Sequence, residues 1–167
     1  MIKFAKSLNM RTLLLAFFLV PLLSYSQNAS TNSLSANYEK LTTEWQQMHD
    51  QNGILIYVKK SDCNRPQDGI FQEMILLKII NTTQYDLTIS WDLLLWYNAE
   101  LWTRLPVRPE NNHQIVLMGG ELLEGSCDNK SGYYSALMFF SRFLNYDDKP
   151  EMTKFELINI NISRYEK

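Results

Sequence analysis

The apolar positions along this chain change period twice, and each change marks a different kind of segment. Residues 13–23 (LLLAFFLVPLL) are continuously apolar. After a polar gap, Leu34, Tyr38, Leu41, Trp45 and Met48 recur at steps of four and three. That spacing predicts one helical face, with Asn32 or Ser33 as its cap and Asn52-Gly53 as its end. The stripe is expected to pack against a sheet. From Gly53 onward the period becomes two.

Residues 54–58 form a short β-branched run that stops at Lys59-Lys60. Residues 70–80 (IFQEMILLKII) are apolar on both sides of their middle, as expected of a central strand covered on both faces. Leu87, Ile89, Trp91, Leu93, Leu95 and Tyr97 alternate with Thr88, Ser90 and Asp92, giving a strand with one buried and one partly wet face. The polar turn Asn81-Thr82-Thr83-Gln84 between the two long runs predicts a hairpin. Four further strands are expected over 113–118, 121–127, 135–144 and 153–164. In the last, the apolar set shifts from Phe155 and Leu157 to Ile158, Ile160 and Ile162, the phase change a β-bulge produces. Seven or eight such strands after one short N-terminal helix predict an all-β fold, an immunoglobulin-like antiparallel β-sandwich, with a closed barrel as the alternative.

The first apolar run follows Lys3, Lys6 and Arg11 and precedes Ser24-Tyr25-Ser26. It is interrupted by Pro21 and falls short of the ~20 residues a spanning helix needs. Residues 1–26 therefore read as a secretory signal peptide cleaved before Gln27, with 27–33 a flexible lead-in and 34–167 a single domain. No cysteine stands at the new N-terminus to carry a lipid, so stable membrane insertion is not expected after cleavage. The Tyr25-Ser26-Gln27 junction resembles the export signals of Bacteroidota. The stretch from Asp62-Cys63-Asn64 to Asn145-Tyr146 resembles small secreted β-sandwich proteins of that group, over about two thirds of the chain. That resemblance implies a secreted or periplasmic sandwich and brings no activity with it.

Loss of the three basic leader residues takes the formal charge from −2 to −5. A domain this acidic, with no basic run longer than Lys59-Lys60, is a poor partner for nucleic acid or anionic membranes. Cys63 and Cys127 both sit among turn-forming residues, and in an exported chain they are expected to pair. A metal site built from Asp62, Cys63, Cys127 and Asp128 is the weaker alternative, because no C-x-x-C or H-x-x-x-H spacing exists.

Catalytic signals are sparse, and no cofactor motif is present. His49 and His113 have no partner nearby in sequence, and Gly119-Gly120 before Glu121 reads as a turn rather than a phosphate cradle. A thiol of Cys63 or Cys127 acting with His113 is disfavoured by the expected bridge. Asp147-Asp148 and Glu121 with Glu124 are conceivable paired carboxylates, but solvated surface positions are the plainer reading. The aromatic residues are more informative. Trp96 has opposite parity to Trp91, Trp102 and Arg104 follow a turn at Asn98-Ala99-Glu100, and Tyr133-Tyr134 lie in a polar stretch. Flat aromatic faces beside hydrogen-bonding groups can hold a sugar ring or a peptide segment. The competing expectation packs Trp96 under the Leu34/Trp45 face of the helix. The sequence thus predicts a non-enzymatic domain for binding or assembly at the cell envelope or outside the cell, its partner a protein or glycan. A carbohydrate- or peptide-binding protein using Trp96, Trp102, Arg104, Tyr133 and Tyr134 is the second expectation, and a hydrolase with dispersed carboxylates the last.

Overall fold

The computed structural model describes residues 32–104, 106–128 and 136–166. The leader and its cleavage site lie outside the described residues, as do Tyr133 and Tyr134. Among the described residues ten strands run in chain order: β1 Leu34–Asn37, β2 Gln46–Gln51, β3 Ile54–Asp62, β4 Gln72–Asn81, β5 Leu87–Tyr97, β6 Glu100–Leu101, β7 Asn112–Leu117, β8 Leu122–Glu124, β9 Met138–Phe143 and β10 Met152–Arg164. One sheet has the order β1-β10-β5, with both β6 and β7 on the far side of β5. The other has the order β2-β3-β4, with both β8 and β9 on the far side of β4. Every pairing is antiparallel, so the all-β sandwich expected from the alternation is present.

The side chains sealed between the sheets are those the period-two pattern selects. Trp91, Ile89, Ile115 and Phe155 come from one sheet, and Ile54, Ile56, Ile75, Leu77 and Ile79 from the other, all almost without solvent contact. β4 is buried on both faces from Glu73 to Leu77, because Cys63, Trp45, Cys127 and Met138 cover the outer side of Met74 and Leu76. The phase change in the last strand is a bulge: pairing with β5 slips between Ile158 and Asn161, and Asn159 there takes a positive φ of 54°. A second slip between Met152 and Lys154 restores the inward face for Phe155 and Leu157.

Two expectations are corrected. The predicted helix is absent: its span forms β1, a 3-10 turn over Tyr38–Lys40, and β2. Asn52 (φ 51°) and Gly53 (φ 79°) do not end a helix but form the two-residue turn of the β2–β3 hairpin, with Gln51 opposite Ile54. Asn-Gly supplies two positive-φ residues, which this turn requires for the natural twist of the strands. The five apolar residues of the supposed stripe are divided between the sheets. Leu34 is buried in the main core, whereas Trp45 lies on the outer side of β4, packed with Met74 and Leu76.

The β4–β5 hairpin is also absent. The two strands belong to different sheets, and residues 82–86 carry the chain from one to the other. Asn81, wholly buried, holds this crossing. Its amide donates to the carbonyls of Tyr85 (2.7 Å) and Met118 (2.9 Å), and its side-chain oxygen accepts from the N–H and hydroxyl of Thr83. Met118 begins the second crossing at this end, from β7 to β8, so one side chain fastens two inter-sheet connections. The Gly119-Gly120 turn lies there too, with Glu121 closing it by accepting the Met118 N–H at 2.6 Å. The chain also changes sheet between β9 and β10.

Candidate functional site

The end of the sandwich remote from Asn81 is built differently. β5 ends at Tyr97, and Asn98 (φ 50°) and Ala99 (φ 66°) turn the chain back into β6, with Tyr97 opposite Glu100. The Trp102 N–H continues this ladder by donating to the Leu95 carbonyl at 2.8 Å. Strand alternation therefore places Trp102 beside Leu95 on the face that carries Tyr97, and Trp96 on the opposite face. The Thr103 hydroxyl fixes the following backbone, accepting the Leu95 N–H at 3.0 Å and lying 3.4 Å from the Leu93 carbonyl. Trp102 stands edge-on to Tyr97 (centroids 5.9 Å apart), yet is 69% exposed.

The other sheet supplies the facing wall. β9 slips in register against β4 between Glu73 and Met74, which leaves Ser141 as the extra residue and re-aims the end of the strand. Phe140 stacks against Tyr97 at 6.2 Å and meets Phe143 at 4.8 Å, and Phe143 in turn meets Tyr146 edge-on at 5.7 Å. The Tyr97 hydroxyl ties the walls together by donating to the Phe140 carbonyl at 2.6 Å. Burial pushes this phenol up to about 12 from its ordinary value of 10. Leu95, Tyr97, Trp102, Phe140, Phe143 and Pro150 enclose an apolar cleft of about 350 Å³.

A second cleft, about 520 Å³ and polar, shares Leu95 and Trp102 with the first and adds Thr103, Arg104, Arg108, Glu110 and Asn111. Arg108 pairs with Glu110 at 3.6 Å, both exposed, whereas Arg104 has no hydrogen bond or ion pair among the described residues. Trp102 is thus the wall between an apolar and a cationic compartment.

Beside the apolar cleft lies an ionic cluster that reaches from the buried Glu73 out to the surface. Glu73 is only 6% exposed; its carboxylate accepts from the Tyr38 hydroxyl (2.5 Å) and the Ser141 hydroxyl (2.8 Å) and lies 3.6 Å from Arg142 Nε. Arg142 also reaches Glu151, at 3.5 Å. Burial, then the bond to Glu73, raises the Tyr38 phenol well above its ordinary value. The cluster links the 3-10 turn after β1 to β4, β9 and the residue before β10, which suits a structural latch under the cleft. Ser141 is wholly buried and not available as a nucleophile.

Of the residues singled out in the sequence, Trp102 and Arg104 come together and Trp96 does not join them. Trp96 lies on the outer face of its sheet, half-buried beneath the Lys154 ammonium at 4.5 Å, and not under a helix. Trp45 is held likewise, with Lys59 and Lys78 at 4.5 and 4.3 Å from its ring. Cys63 and Cys127 form the expected disulfide, Cα atoms 5.2 Å apart, so neither thiolate is free for metal or for His113. His113 leans on Trp91 at 5.5 Å, where burial lowers its pKa; burial lowers that of His49 as well. The carboxylates do not converge: Glu121 closes a turn at the Asn81 end, Glu124 pairs with Lys78, and Asp147-Asp148 lie in the exposed β9–β10 connection. Sequence reasoning missed Tyr97, whose parity with Trp91 and Leu93 marks it as core, and Phe140 and Phe143, whose strand was expected without either face being assigned; the register slip at Ser141 brings them to one cleft.

No protein-family model matches the chain, and comparison with curated proteins and with solved structures gives no match either.

Proposed function

We propose that this chain is an exported, non-enzymatic binding domain whose ligand site is the double cleft divided by Trp102. One observation carries the reading: a tryptophan 69% exposed directly after β6, with an apolar cleft on one side and a cationic one on the other. Leaving so large an apolar ring in water is unfavourable, and the arrangement suits a partner that covers it. The disulfide fits an oxidising compartment, and among the described residues no helix is long and apolar enough to cross a membrane. Export itself rests on the basic, apolar and small-residue order of residues 1–26. The likeness to immunoglobulin domains is one of architecture, two antiparallel sheets with the connections gathered at the ends.

Assembly by strand addition has less support. Outer strand β1 has four residues, and β2 reads Gln-Gln-Met-His-Asp-Gln, a polar template for pairing. The test is a tryptophan-fluorescence titration of the mature protein against peptide and oligosaccharide collections, repeated with Trp102→Ala. Binding that disappears in the variant, with its circular dichroism unchanged, is the expected result. Binding that survives Trp102→Ala places the site elsewhere and ends this reading.

A further inference from the structure

Resting on the reading of the Trp102 cleft as the binding site, we infer that its occupant is an acidic peptide segment of a partner protein, with one large apolar side chain beside a carboxylate. The apolar compartment is the first reason. Apart from the Trp102 indole N–H, the one polar side-chain group among its six residues is the Tyr97 hydroxyl, already committed to the Phe140 carbonyl. A sugar ring placed there would lose water from its hydroxyls and gain almost nothing in return. A leucine or phenylalanine side chain loses nothing by the same transfer and meets Tyr97, Phe140 and Phe143 directly. The volume, about 350 Å³, is at the small end for ligand pockets and suits a large side chain with its neighbour better than an extended acyl chain.

The second reason is charge. In a domain whose formal charge falls to −5 without its leader, Arg104 and Arg108 both line the compartment across Trp102, against Glu110 alone. Glu110 is engaged by Arg108, which leaves Arg104 as an unpaired guanidinium among the described residues. A guanidinium presents a planar fork of donors that matches a carboxylate. A side chain seated in the apolar cleft places the adjacent residue of its chain at the Trp102 rim, next to these arginines.

The experiment uses capped pentapeptides with a central phenylalanine followed by glutamate, glutamine or lysine, beside neutral and uronate-bearing oligosaccharides, titrated calorimetrically into the mature protein. The glutamate peptide is expected to bind about tenfold more tightly than the glutamine peptide, the worth of one charge-assisted bond, and the lysine peptide most weakly. Arg104→Gln should weaken the glutamate peptide about tenfold and the glutamine peptide much less, so that the preference collapses, and Trp102→Ala should abolish binding of both. Trp102-dependent binding without charge preference, or tighter Trp102-dependent binding of an oligosaccharide than of any peptide, overturns the assignment of the occupant while the site stands. Absence of Trp102-dependent binding by every probe at millimolar concentration overturns the site and the occupant together.

Discussion

Replacing Trp91 and Trp102 by alanine, one at a time, separates core from site. A tryptophan side chain offers roughly 200 Å² for burial, and about 25 cal/mol is gained per Å² removed from water. Trp91, 1% exposed, buries nearly all of that area, which corresponds to about 5 kcal/mol and agrees with the ~3–5 kcal/mol range for Trp→Ala in cores. Trp102, 69% exposed, keeps only about a third from water, or ~1.5 kcal/mol as an upper bound. The predicted difference of about 3 kcal/mol is a Tm gap of roughly 6–12 °C for a domain near this size. The indole N–H of Trp91 has no hydrogen-bond partner among the described residues, so Trp91→Phe removes an unsatisfied donor while keeping most of the ring. It should therefore be much milder than Trp91→Ala. Denaturant titration of the three variants, with m-values compared, is the assay. Equal losses for Trp91→Ala and Trp102→Ala would mean that Trp102 is structural, and would refute the separation.

Further expectations concern the rest of the framework. The Cys63–Cys127 bridge spans a separation of 64 residues, so replacing both cysteines by alanine should cost ~4 kcal/mol, mainly through the unfolded chain, and chemical unfolding of the variant measures it. Asn81→Ala leaves the Tyr85 and Met118 carbonyls without their donor and should lose ~2–4 kcal/mol, read as a lower Tm with the Trp102 cleft still competent to bind. The Tyr97 and Tyr38 phenols are raised in the folded state, so the stability they confer is full below their unfolded value of 10 and is lost as pH rises through about 12 for Tyr97. Tyr97→Phe should flatten that alkaline limb, followed by phenolate absorbance alongside unfolding. Burial depresses His113, so its contribution is present above pH 6.5 and is lost as pH falls below it, and His113→Gln should weaken the acid dependence of the Tm. Intact-mass analysis of exported protein should give a chain beginning at Gln27; retention of residues 1–26 would contradict export by cleavage.

Much of the sheet was legible because burial imposes a period of two wherever one face is dry. β5 and the bulge in β10 followed directly from the positions of Trp91, Phe155, Leu157 and Ile160. The missing helix shows where periodicity misleads. Leu34 through Met48 have helical spacing by coincidence, and the Asn52-Gly53 pair, a hairpin signal in its own right, carried the correct information about β2 and β3. The absent β4–β5 hairpin depends on a buried Asn81, and nothing in a single sequence tells a turn asparagine from one that fastens two sheets. The site was half legible. Parity separated Trp96 from Trp91, and the turn at Asn98-Ala99 brought Trp102 with Arg104 to one place. Its other wall depends on a one-residue slip at Ser141, which changes which side chains face the mouth without leaving a mark in the alternation.

The most direct test of the Trp102 cleft is the response of the indole N–H resonances to ligand. The chain has four tryptophans, each with its own environment, so a proton–nitrogen correlation spectrum of residues 27–167 should give four indole signals. On titration with the phenylalanine–glutamate peptide the Trp102 signal should move in a saturable way, while that of Trp91, sealed between the sheets, stays in place. Saturable movement of the Trp45 or Trp96 signal with Trp102 unmoved would contradict the account.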